Sequence, residues 1–281
     1  MGRVEAFTPE SLDEVAALLL AADETARPVF QGVGLVARLG PPEGGSLVLD
    51  LSRVPELNRL EFDERDGIRI GSAVRLERFL VFPPISLRYR VFLDGLEECV
   101  ARGDGSVTLA EALSRPAAVP GVILPLLSCR ADVAVYGPYG WSELAVEALC
   151  QPGRPALQFG EFAVHLSLPA PPVRSGCAYA SHTPEGGAPL AVATVLAMEE
   201  DLATCCGARV LYFAAEGRPE RAVESERFLA GRRLDDVALE RAAALAGEAV
   251  QAARMGGSSE PGATGRLASQ VLHEARGRVS I

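Results

Sequence analysis

Leu168-Pro169-Ala170-Pro171-Pro172 constrains the fold of this chain more than any other segment. Each proline fixes φ and removes an amide donor, so neither a helix nor an interior strand continues through it. The apolar pattern changes across these prolines. Beyond them, strand-like runs at 177–181, 190–198 and 209–214 come first, and helical stretches at 221–230, 237–253 and roughly 263–275 follow. Strands followed by helices predict an antiparallel sheet covered on one face. A domain boundary is expected within a few residues of the prolines.

Upstream, the chain divides again. Ser11-Leu12-Asp13-Glu14 has the form of a capping box, in which the serine oxygen satisfies the Glu14 amide and the glutamate reaches back to the cap. Val15, Leu18, Leu19 and Ala22 then line one face of a helix. Val29 and Phe30, a glycine-containing turn and Ser46-Leu47-Val48-Leu49-Asp50 complete an α/β unit. From Leu60 the residues change to hairpin chemistry, with Leu60-Glu61-Phe62 and Ile68-Arg69-Ile70-Gly71 alternating on either side of the turn Arg65-Asp66-Gly67. Helices are expected from Leu76 and over 93–101. A strongly apolar run at 122–129 precedes a strand at 132–136, which makes a second, α+β unit.

At 281 residues, 48% of them hydrophobic, the chain has material for two or three compact units. Its 37 acidic and 27 basic residues leave a net charge of −10, which argues against a general affinity for nucleic acid or an anionic membrane surface. Every basic residue is arginine. No stretch approaches the ~20 apolar residues that span a bilayer, and Met1-Gly2-Arg3-Val4-Glu5 does not begin a signal sequence, so a cytoplasmic protein without membrane insertion is expected. Cys99, Cys129, Cys150, Cys177, Cys205 and Cys206 lack C-x-x-C spacing, and His165, His182 and His273 are scattered; free thiols and no metal site are expected. The vicinal Cys205-Cys206 reads as the turn before a strand in preference to a redox pair. With no G-x-S-x-G elbow, Walker loop or H-E-x-x-H motif, the sequence names no catalytic residue. Trp141, after Tyr136-Gly137-Pro138-Tyr139-Gly140, reads as a packing residue behind a hairpin turn.

Several short motifs occur in a telling order. Ser11-Leu12-Asp13-Glu14 is followed by Arg27-Pro28-Val29-Phe30-Gln31-Gly32-Val33-Gly34-Leu35, then by Leu49-Asp50-Leu51-Ser52-Arg53-Val54-Pro55-Glu56-Leu57 and Gly67-Ile68-Arg69-Ile70-Gly71-Ser72. Next come Gly105-Ser106-Val107-Thr108-Leu109-Ala110-Glu111-Ala112-Leu113, residues 161–169 and Gly265-Arg266-Leu267. Together, over residues 7–275, they resemble the FAD-binding medium subunits of molybdenum hydroxylases, the family of xanthine and carbon monoxide dehydrogenases. The resemblance implies an α+β fold: an N-terminal FAD-binding-type (PCMH-like) domain of two α/β subdomains, with the flavin between them, and a C-terminal domain of a three-stranded antiparallel sheet with helices. Residues 1–57, 58–172 and 173–281 are the expected parts. It also implies an oxidoreductase subunit that acts only within a complex, beside an iron–sulfur subunit and a molybdopterin subunit. The flavin loops map to Gln31, Gly32, Val33, Gly34 and Leu35, and to Gly105, Ser106 and Thr108; Arg115 is a candidate phosphate partner or a solvated loop residue.

Both loops depart from the family pattern. A flavin dinucleotide carries a pyrophosphate that backbone amides must meet, and glycines let the backbone approach it. Gln31-Gly32 stands where the family has two glycines. Ala110, Glu111 and Ala112 stand where it has Gly, Gly and Asn. A carboxylate at ~4 Å from a phosphate costs about 4 kcal/mol at an effective dielectric constant near 20, so Glu111 opposes FAD unless it points away. The good helix formers of 108–113 offer a second reading, in which the segment has become helix and no longer wraps an anion. The sequence therefore leaves two forms of the subunit open: an FAD-type electron-transfer subunit with a degenerate site, and a flavin-free structural subunit that bridges its iron–sulfur and molybdenum partners.

Overall fold

The computed structural model describes residues 4–21, 27–28, 46–114, 116–151, 157–158, 160–183, 190–213, 218–253 and 262–279. They form two compact units, both discontinuous in sequence. The first comprises Met1–Arg78, Gly105–Arg115 and Arg130–Ala170; the second comprises Phe79–Asp104, Pro116–Cys129 and Pro171–Ile281.

The first unit begins with β1 (Val4–Phe7), α1 (Leu12–Ala21), β2 (Arg27–Pro28) and β3 (Ser46–Leu49), the strands pairing in parallel in the order β1-β3-β2. Ser11 caps α1 by accepting the Glu14 amide at 3.2 Å, as its motif predicts, while the Glu14 carboxylate accepts the Glu10 amide at 2.7 Å instead of that of Ser11. The apolar face of α1, carrying Leu12, Val15, Ala16 and Leu19, buries against Leu49, Leu51, Val54, Leu57, Phe162 and Val164. The strand exit is held by polar side chains. Asn58, at the end of α2 (Pro55–Asn58), donates from Nδ2 to the carbonyls of Leu51, Ser52 and Val54, and the Ser52 hydroxyl and amide hold the Asp50 carboxyl below its usual pKa.

A hairpin follows, β4 (Leu60–Asp63) and β5 (Gly67–Gly71), whose turn has Asp63 Oδ1 accepting the Arg65 and Asp66 amides and Gly67 at φ +93°. Ile68 and Ile70 are buried and Arg69 is exposed, the alternation that the sequence shows. Then come α3 (Leu76–Leu80), α4 (Pro83–Arg88), α5 (Arg90–Ala101), α6 (Leu109–Ser114), α7 (Pro120–Ser128), β6 (Asp132–Gly137), β7 (Gly140–Ala145), α8 (Val146–Leu149) and β8 (Phe162–Leu168). The antiparallel sheet of the first unit runs β4-β5-β8-β6-β7, with a register shift between Ala134 and Val135.

In the second unit, β9 (Ser175–His182), β10 (Leu190–Met198), β11 (Cys205–Phe213) and β12 (Pro219–Arg221) form an antiparallel sheet in the order β12-β11-β10-β9. The three strands expected from sequence are its long members, and the three-residue β12 adds a short edge that begins on a proline and is too brief to show an apolar pattern. Helices α9 (Val223–Leu229), α10 (Asp236–Ala253) and α11 (Ala263–Gly277) follow. Leu190, Val192, Leu196 and Met198 of β10 pack against Leu239, Ala242, Ala246 and Val250 of α10 and Leu267, Val271, Leu272 and Ala275 of α11. On another helix pair, α5 and α7 cross at Gly95 and Gly121, where a Cβ on Gly95 would stand 1.8 Å from the Gly121 carbonyl oxygen. Arg278 clamps Asp94 of α5 through both guanidinium nitrogens and also donates to Glu274 and to the Cys177 carbonyl.

One local expectation is corrected. The turn ahead of β11 lies upstream of the cysteines: Asp201 accepts the Ala203 and Thr204 amides and the Thr204 hydroxyl, and Cys205 and Cys206 are already the first, alternately buried and exposed residues of the strand. The apolar run at 122–129 is mostly helix α7, buried along its whole length, despite Pro125 inside it. All six cysteines are free thiols. Among the described residues no helix is long and apolar enough to cross a membrane, and no group of three or more His, Cys, Asp or Glu is arranged to hold a metal ion.

Candidate flavin loop

Of the residues mapped to the flavin loops, Gly105, Ser106 and Thr108 are described. Gln31, Gly32, Val33, Gly34, Leu35 and Arg115 lie outside the described residues, as do Val29 and Phe30. The second loop is therefore where geometry and chemistry can be compared.

Gly105 is buried and Ser106 exposed in a single 3-10 turn, Asp104–Ser106. The chain then runs alongside the segment that leaves β5. Leu76 donates its amide to the Val107 carbonyl at 2.9 Å, Leu109 donates to the Val74 carbonyl at 3.0 Å, and Arg75 and Thr108 form an antiparallel bridge. Ala110 donates to the Ser72 carbonyl at 2.9 Å. Thr108 is the residue before α6, and the helix starts with a complete capping box. The Glu111 carboxylate accepts the Thr108 amide at 2.8 Å and the Thr108 hydroxyl at 3.1 Å, while the Glu111 amide donates back to Thr108 Oγ1 at 3.3 Å. Ala112 completes the first helical turn by donating to the Thr108 carbonyl at 3.0 Å. Thr108, Leu109, Ala110, Ala112 and Leu113 are buried; Glu111 is half-buried.

Every backbone amide from Thr108 to Ala112 thus has an acceptor within the chain: two are met by side-chain oxygens of the box and three by backbone carbonyls. A pyrophosphate is recognised by amides that point at it and have no other partner. Thr108–Ala112 offers none, and the two side-chain groups it turns toward its own amides are the Glu111 carboxylate and the Thr108 hydroxyl. These five residues do not fit a diphosphate. Sequence reasoning weighed the charge of Glu111 and the helix-forming composition separately but missed the capping box that joins them. The signal was present, because Thr108-Leu109-Ala110-Glu111 repeats the Ser/Thr-x-x-Glu form read at Ser11.

Trp141 stands at the start of β7, 55% exposed, edge-on to Tyr136 at 5.2 Å and 6.0 Å from the His165 ring. Tyr136 in turn donates its hydroxyl to Asp13 of α1. These rings tie the hairpin to its neighbours.

No protein-family model matches the sequence, and a search among curated proteins finds no relative. Solved structures do match. The chain is similar to a chain of the reconstituted CO dehydrogenase from Oligotropha carboxidovorans, with a TM-score of 0.76 and 22% identity over 99% of each chain. It is similar in the same way to a chain of carbon monoxide dehydrogenase from Hydrogenophaga pseudoflava, a form lacking the Mo-pyranopterin moiety of its molybdenum cofactor, with a TM-score of 0.76 and 18% identity over 99% of each chain. Quinoline 2-oxidoreductase from Pseudomonas putida 86 gives a TM-score of 0.74 and 21% identity over 98% of this chain and 97% of that one. The chain has the fold of these matched chains, in agreement with the family that the motif order resembles.

Proposed function

We propose that this chain is the medium subunit of a cytoplasmic oxidoreductase complex of the molybdenum-hydroxylase type, docked to an iron–sulfur subunit and a molybdopterin subunit. The observation that carries the reading is the likeness in fold over nearly the whole of both chains, in a protein whose sequence holds no catalytic motif of its own. Residues 1–57, 58–172 and 173–281 are the proposed domain layout.

Two forms of this role differ in the cofactor. In the electron-transfer form, FAD lies among Gln31, Gly32, Val33, Gly34, Leu35, Gly105, Ser106, Thr108 and Arg115. The other is a flavin-free structural subunit that bridges the two partners. Full occupation of the Thr108–Ala112 amides favours the flavin-free form. Native purification from the source organism tests the assembly: the chain is expected to co-purify with protein-bound iron and molybdenum and two further subunits, through an interface of at least ~1,000 Å². A chain that elutes alone, with no iron or molybdenum and no such subunits encoded nearby, would overturn it in favour of a stand-alone module.

A further inference from the structure

Resting on the reading of this chain as a medium-type subunit, we propose that it closes its own diphosphate loop, the amides from Thr108 to Ala112 being committed to acceptors within the chain. An anion binds at a helix start because the first amides have no acceptor. Here the Glu111 carboxylate takes the Thr108 amide and hydroxyl, and the Thr108 hydroxyl takes the Glu111 amide. Leu109 and Ala110 are unavailable for a different reason: their amides are paired with the carbonyls of Val74 and Ser72, which belong to the segment following β5.

This arrangement separates two explanations that the sequence alone leaves fused. If repulsion by the Glu111 charge excludes the phosphates, removing that charge opens the loop. If the amides are committed, removing the charge changes nothing, because glutamine preserves a capping box and the backbone pairs of Leu109, Ala110 and Ala112 do not involve residue 111 at all. Glycine at 110 or 111 would likewise leave the carbonyls of Ser72 and Val74 in place. The structure assigns the closure to the amides.

The test uses the full chain, wild type, Glu111→Gln and Glu111→Ala, each titrated with FAD. Binding is followed by quenching of flavin fluorescence and by absorbance near ~450 nm after gel filtration, and melting temperature is read with and without FAD. None of the three is expected to retain FAD or to melt higher in its presence. Glu111→Gln should melt with the wild type, and Glu111→Ala should melt a few degrees lower, of the order expected for loss of one helix cap. Stoichiometric FAD on the wild type overturns the proposal. So does FAD bound by either variant, which on Glu111→Gln would return the exclusion to charge and on Glu111→Ala would show that the carboxylate alone filled the loop, and so does an alanine variant as stable as the wild type, which would mean that the carboxylate does not hold the loop. Should the alanine variant fail to fold, the glutamine variant decides. All readouts are made on the isolated chain, so they stand apart from whether it co-purifies with partner subunits.

Discussion

Replacing Thr108 by valine removes one hydroxyl from a fully enclosed position and little else. Thr108 is 1% exposed, and valine has nearly its shape, so no cavity opens. Both hydroxyl bonds of the capping box disappear: the donation to the Glu111 carboxylate at 3.1 Å and the Glu111 amide's donation to Oγ1 at 3.3 Å. The amide is then left without an acceptor at a half-buried helix start. Loss of a Thr cap costs ~0.5–2 kcal/mol in comparable helices. The added methyl group offsets part of this, at about 0.8 kcal/mol for full burial. A net loss of ~1 kcal/mol is expected for Thr108→Val, and a similar one for Glu111→Ala, which strips the Thr108 amide of its acceptor. Because both act on the same box, the double variant should fall short of the sum by ~0.5 kcal/mol or more. Denaturation followed by tryptophan fluorescence measures this directly, since Trp141 is the only tryptophan and lies in the same compact unit as Thr108. A Thr108→Val variant as stable as the wild type, or strict additivity in the cycle, would refute the capping geometry and with it the closed loop.

Two further outcomes follow from the second unit. Gly95→Ala places a Cβ 1.8 Å from the Gly121 carbonyl oxygen, with backbone on both sides of the clash, so α5 and α7 must separate. A loss of about 3 kcal/mol or more, seen as a lowered melting temperature or loss of soluble protein, is expected, and a variant that melts with the wild type would count against the crossing. Burial pushes the Cys99 thiol up to about 12 and that of Cys205 to about 11. Unfolded, both ionise near ~8.5, so between there and the folded values the unfolded state holds fewer protons and stability must fall as pH rises. Iodoacetamide at neutral pH should accordingly label exposed Cys206 first and reach Cys99 and Cys205 only on unfolding; rapid native labelling of Cys99 or a pH-independent stability above pH 9 would contradict it.

The sequence showed the fold wherever a local pattern decided it. Leu190 to Met198 is apolar and β-branched, flanked by turn residues, and it is a central strand; the hairpin at Arg65-Asp66-Gly67 needed the positive φ that Gly67 supplies. Pairings across long distances were not visible. Asp94 and Arg278 meet across 184 residues, and the approach of Gly95 to Gly121 depends on two helices whose glycines look ordinary one at a time. Helix α7 was obscured because it is buried on all sides, which erases the amphipathic period, and because Pro125 lies within it.

The loop and the N-terminal core are built from separate residues. The N-terminal core is built by α1, the exit from β3 and the residues Ala73, Phe162 and Val164, and none of its buried members comes from 105–114. Substitutions at 110–112 therefore leave that core untouched, and the segment has found its own stability in two alanines at 0% exposure and a capped helix start. A loop shaped by a ligand needs residues that leave amides unsatisfied, which destabilises the ligand-free chain. Once Thr108 and Glu111 satisfy one another, the chain no longer depends on that ligand for this part of its fold. Under the proposed reading, a medium-type subunit held together in this way would bridge its partners by shape alone, and the measurement that bears on it most directly is the colour of the purified chain.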